Sequence, residues 1–125
     1  MTKSHQADKA GIACSGLCAI HCALGPIIAF SSPGIVRFFD NEWIHIGLLV
    51  LIVPIAIFAF VKGHNVHNNI KPFALGFIGL VFLLSAVIFE ALHIEIEFLE
   101  ISLTVVGCVL LTIAHFLNIK YQRLT

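Results

Sequence analysis

The sequence predicts an all-α integral membrane protein, a bundle of four transmembrane helices with both termini on the cytoplasmic side. Three observations predict it. First, 59% of the 125 residues are hydrophobic and only 11% are charged, against about 25% charged in a typical soluble domain. A chain this short leaves much of its surface uncovered, so the apolar excess must face lipid. Second, four apolar runs cover residues 10–30, 44–61, 73–89 and 101–119, each near the roughly 20 residues that carry a helix across the hydrocarbon core. Such runs must be helical, because in lipid every backbone polar group needs a partner inside its own segment. Third, Lys3, Lys9, Lys62, Lys71, Lys120 and Arg123 fall on one side of the predicted topology and Arg37 alone on the other. That positive-inside distribution puts both termini on the cytoplasmic side.

In the first helix, Lys3 and Lys9 ahead of an apolar run imitate a signal peptide, and Ala29-Phe30-Ser31 is a small-x-small site. Cleavage there would discard Cys14, Cys18, His21 and Cys22, so the segment is read as retained. The second helix holds Pro54, which frees the carbonyl of Val50 and predicts a kink. The third and fourth runs carry no proline. The connections are polar, and Trp43 and Tyr121 fall where aromatic rings anchor at the interface. The chain is read as a single domain. The formal net charge of zero gives no footing for a nucleic-acid partner. All four cysteines lie within apolar segments, which is not a secreted disulfide framework.

The chemistry concentrates in the first helix, which reads Cys14-x-x-x-Cys18-x-x-His21-Cys22. At about 100° per residue, Cys18, His21 and Cys22 lie within an arc of about 100° that also contains Cys14. Thiolate and imidazole are the ligand types of soft and borderline metals. Pro26 adds a carbonyl, that of Cys22, released from the helix ladder. Small residues at every fourth position also serve close packing, but a histidine in an apolar span is costly and points to function. Secondary candidates are an acidic, histidine-bearing outer rim (Glu42 and His45; Glu90, His93, Glu97 and Glu100) that would concentrate cations. Cys108 and His115 on the fourth helix would extend the ligand ladder, Cys108 at the depth of Cys22 and His115 near that of Cys14. His64 and His67 lie in the predicted inner loop.

These residues resemble the MerC family of small bacterial inner-membrane proteins, known from mercury-resistance operons. The resemblance runs from Asp8-Lys9-x-Gly11-Ile12 through Ser15-x-Leu17-Cys18-Ala19-Ile20-His21-Cys22 to Pro26. It continues through Glu42 to His45, His67 and Pro72, and closes with Glu100, Gly107 and Ala114-His115-Phe116-Leu117-Asn118. It implies a four-helix carrier that takes mercury(II) from periplasm to cytoplasm, with Cys18 and Cys22 as the ion-binding pair. Cys14 is an addition to the family pattern. The operon type has a second cysteine pair in a C-terminal extension, whereas here no cysteine follows Cys108; His115, His64 and His67 would replace that inner relay.

The expected function is therefore metal-ion transport, with no permanently bound cofactor and no enzymatic step. The cargo is Hg2+, alternatively Zn2+, which the many histidines suit as well. The partners are the ion, the lipid bilayer and a cytoplasmic metal acceptor. A membrane thiol oxidoreductase is the reading from another class. It is weaker because Cys residues at i, i+4 have parallel Cβ vectors that disfavour a disulfide.

Overall fold

A computed structural model describes residues 2–35, 41–94 and 96–125. Arg37, Asp40 and Glu95, and the side chains of Glu42 and Glu97, lie outside the described residues. Four long helices make up the fold of the described residues: α1 (Thr2–Ser31), α2 (Glu42–His67), α3 (Lys71–Ala91) and α4 (Glu97–Leu124). Each is long and apolar enough to cross a membrane, as the sequence predicts. The start of α1 and the end of α4 share one end of the bundle, as four crossings require.

The helices run past the apolar segments. α1 begins eight residues before Ala10, because its polar first turns still bury Ser4 and Asp8 against the bundle. α2 continues through Pro54, and His64 and His67 belong to its last turn, not to a loop. Local chemistry sets the ends. Asn41 caps α2 by accepting the Trp43 N–H at 3.2 Å. Asn68, in the left-handed region at φ 51, closes α2 by donating to the His64 carbonyl, a conformation asparagine tolerates. Lys71 donates to Asn69 Oδ1 at 3.0 Å, and Pro72 follows in the first turn, where its missing N–H leaves no gap.

α3 ends on His93, also left-handed at φ 53. The His93 N–H reaches the Glu90 carbonyl and the Ile94 N–H reaches that of Phe89, each at 3.1 Å, the pairing of a Schellman stop. The outer-rim candidates Glu90, His93 and Glu97 therefore belong to different elements: Glu90 is in α3, His93 is an exposed turn residue, and Glu97 opens α4.

α4 is the central element and packs on all three others, α3 and α1 most extensively; α2 also touches α1 and α3, leaving α1 and α3 diagonally apart. The α3–α4 contact is a glycine crossing. A Cβ on Gly107 would stand 2.9 Å from the Gly79 carbonyl oxygen, and one on Gly79 would stand 3.0 Å from that of Gly107. Backbone against backbone cannot yield as a flexible side chain would. Gly107→Val is expected to lower stability by about 1–3 kcal/mol, read as a fall in thermal midpoint in detergent; an unchanged midpoint would contradict this packing.

α1 shows how the faces divide. Leu17, Ile20, Leu24 and Ile27 are exposed, while Gly11, Ser15, Cys18 and Cys22 are buried. Helices with outward apolar faces suit lipid, where packing and polar contacts hold helices together instead of the hydrophobic effect.

Candidate metal site and the α1–α4 seam

A cavity of about 240 Å³ opens among the helices toward the end opposite the termini. Cys18, His21, Cys22, Gly25 and Pro26 of α1 line it, with His45 of α2, Glu90 of α3 and Glu100 of α4. The 100° periodicity of α1 explains its thiol wall: the buried face of the helix is the cysteine face, and the exposed Leu17 and Ile20 lie on the other side. Small residues at 25, 26 and 29 on α1, all lining the cavity, leave it room.

Three of the site's polar groups form a chain. His45 Nδ1 lies 3.2 Å from each Glu90 carboxylate oxygen, and its Nε2 lies 3.9 Å from Cys22 Sγ. A carboxylate at Nδ1 holds the ring proton there and leaves the Nε2 lone pair facing the thiol, the arrangement that orients metal-ligating histidines. The His21 ring meets the His45 ring edge-on, with centroids 5.6 Å apart. Behind the cavity wall, Cys18, Cys22 and Cys108 are buried together in one core cluster. All four cysteines are free; Cys18, Cys22 and Cys108 are buried and Cys14 is half-buried. Among the described residues no three of the Cys, His, Asp and Glu side chains are already gathered as a metal cage. The thiols stand in a row, so an ion would be held by two neighbours at a time.

The structure thus brings Cys18, Cys22, His21 and His45 to one cavity with Glu90 and Glu100. It sets Cys108 behind Cys18 and takes His115 elsewhere. Ser15 Oγ lies 2.8 Å from Thr112 Oγ1, and a Cβ on Gly11 would collide with the His115 ring. This antiparallel register puts Cys108 level with Cys18, one turn nearer the termini than the expected depth of Cys22. His115 likewise lies level with Gly11, not Cys14.

At the terminal end of the seam lies a buried polar knot that the sequence reading missed. The Asp8 carboxylate, with no exposed surface, accepts from His115 Nδ1 at 2.8 Å, Asn118 Nδ2 at 3.0 Å and Gln122 Nε2 at 3.0 Å. Asn118 also donates to the Ala59 carbonyl at 2.9 Å and bonds His67 Nε2 at 2.8 Å. The His115 ring stacks on Phe60 with centroids 4.6 Å apart. His64 bonds the Asn69 carbonyl at 3.3 Å. Glycines make the room: a Cβ on Gly63 would collide with the Asn118 amide, as one on Gly11 would with His115. The signal for this seam was in the sequence. Residues 8, 11, 15, 18 and 22 of α1, and 108, 111, 115, 118 and 122 of α4, each repeat at steps of three and four, the spacing of two helices packed as a left-handed pair.

The MerC mercury resistance protein family matches residues 8–120 of the chain. No curated protein and no solved structure matches it.

Proposed function

The chain belongs to the MerC mercury resistance protein family and is a multi-pass membrane protein, and from that premise we propose that it carries mercury(II) from the periplasm into the cytoplasm through the thiol-lined cavity. The observation that supports this reading is the pair Cys18 and Cys22, one helical turn apart at the wall of a cavity that also holds His45, Glu90 and Glu100. Mercury(II) is soft and binds thiolates in pairs, so adjacent thiols without a third converging ligand suit it. Zinc in structural sites takes four ligands at tetrahedral corners, and among the described residues no such cage exists.

The basic residues orient the protein with the termini inside, and the cavity then faces the periplasm. Glu90 and Glu100 draw a cation toward it. Binding replaces the Cys18 and Cys22 thiol protons with the metal. His45, held by Glu90, offers Nε2 beside Cys22 as an accessory ligand. A cytoplasmic thiol acceptor takes the ion at the inner end. His21, which lines the cavity, and Cys14 stay as accessory candidates.

Cells expressing the chain are expected to accumulate mercury(II) from the medium, and Cys18→Ser/Cys22→Ser to return accumulation to the background of cells without it. A double variant that accumulates as much as the parent rejects the thiol pair as the route. The zinc alternative rests on the Cys22–His45–Glu90 chain, whose atoms are all zinc ligand types; it is favoured if excess zinc(II) blocks mercury entry. Glu90→Gln, which frees His45 from its fixed tautomer, is expected to weaken mercury binding by about 10- to 100-fold. Titration of the purified protein against a competing thiol checks it, and an unchanged affinity removes His45 from the coordination sphere.

A further inference from the structure

The wall of the cavity does not end at the helix 1 pair. Cys108 comes from another helix, has no exposed surface, and does not line the cavity. It lies one layer deeper, in the same buried cluster as Cys18, and the Ser15–Thr112 register sets it one turn nearer the termini than Cys22. From that layer the α1–α4 seam continues as polar pairs: Ser15 with Thr112 at 2.8 Å, then Asp8 with His115 and Asn118 at 2.8 and 3.0 Å. The other faces of α1 and α4 at these levels are apolar and turned outward, as Leu17, Val106, Val109 and Ile113 show.

We propose that Cys108 is the first ligand of the inward route: it replaces Cys22 on a mercury(II) ion still held by Cys18, moving the ion from the cavity into the α1–α4 seam. This deepens the carrier reading and rests on it. The step balances without any redox partner. The ion begins bonded to the Cys18 and Cys22 thiolates, with Cys108 as the neutral thiol. The Hg–S bond to Cys108 forms as that to Cys22 breaks, and the Cys108 proton passes to the Cys22 thiolate. The ion stays divalent throughout and is a neutral two-coordinate bis-thiolate before and after the exchange, which matters where a bare charge is costly. The row arrangement favours this over a three-sulfur trap. Cys18 shares one buried cluster with both partners, yet the three thiols form no metal cage among the described residues. Cys18 is therefore the pivot, Cys22 the loading ligand and Cys108 the unloading one.

The test uses the full chain in detergent with mercury(II) chloride as probe, a small monothiol as competitor, and X-ray absorption to count sulfur ligands. The parent is expected to bind mercury through two sulfurs. Cys22→Ser is expected to keep two, now from Cys18 and Cys108. Cys22→Ser/Cys108→Ala is expected to lose the second sulfur and weaken binding by at least about 10- to 100-fold. In liposomes, Cys108→Ala alone is expected to bind with two sulfurs but pass mercury at least about tenfold more slowly; alanine leaves the packed layer apolar, and unchanged circular dichroism verifies its fold. One sulfur in Cys22→Ser, two in the Cys22/Cys108 double variant (Cys14 then being the partner), or undiminished flux through Cys108→Ala each overturns the hand-off. A parent that binds no mercury instead defeats the carrier reading itself.

Discussion

Cys18→Ser is expected to remove mercury binding and transport together, the largest loss of any single thiol substitution. Cys18 shares a buried cluster with Cys22, one turn along α1, and with Cys108, level with it on α4, so its loss breaks the loading pair and the unloading pair at once. Each remaining thiol then faces a hydroxyl, and a hard oxygen does not replace a thiolate for a soft ion. The loss should exceed the roughly 10- to 100-fold that removing an outer-sphere partner costs. Cys14→Ser is the contrast. Cys14 is half-buried at the flank of the core cluster, and its replacement should leave affinity near that of the parent. Competitive titration of both variants checks the ranking. Equal losses at positions 14 and 18 would show that α1 presents a continuous thiol ladder with no pivot.

Asp8→Ala is expected to be the most destabilising substitution outside the thiol row. Asp8 is the acceptor that three buried donors share, from His115, Asn118 and Gln122. His115 and Asn118 are themselves buried, at 1% and 0% exposure. Removing the carboxylate leaves those donors without their acceptor, and breaking a buried pair from one side costs about 3–5 kcal/mol. Asp8→Asn keeps the shape and one acceptor oxygen and should cost less. Thermal unfolding in detergent should rank parent, Asp8→Asn, Asp8→Ala in descending midpoint. If Asp8→Ala unfolds with the parent, the knot holds nothing together. The knot also joins α1 to α4 and, through Asn118 and the Ala59 carbonyl, to α2, so it ties three helices together at the end opposite the cavity.

Much of the fold was legible because lipid imposes simple rules. Apolar runs of about the right length gave all four spans, and the 100° periodicity of α1 gave its buried cysteine face. Helix ends were less legible. Hydropathy marks where a helix enters lipid, not where its hydrogen bonding stops, so the polar turns from Thr2 to Lys9 and from Lys62 to His67 read as flanks. Long-range partners were the least legible. His45 and Glu90 each looked like part of a separate rim cluster; their pairing crosses from α2 to α3 and depends on how those helices pack. Asp8 entered the sequence reading only as the first residue of the family resemblance, yet the three–four spacing it shares with Gly11, Ser15, Cys18 and Cys22 marks it as a seam residue. The depths of Cys108 and His115 were off by one turn because pairing the midpoints of two apolar runs ignores the true register of the seam, which the Ser15–Thr112 and Asp8–Asn118 contacts fix.

The most direct measurement is mercury(II) entry into liposomes that contain the purified protein and a trapped thiol. The account predicts time-dependent accumulation by the parent and none above empty liposomes for Cys18→Ala/Cys22→Ala, with both proteins inserted to the same extent. Equal entry through the parent and the double variant would contradict a path through the α1 thiols.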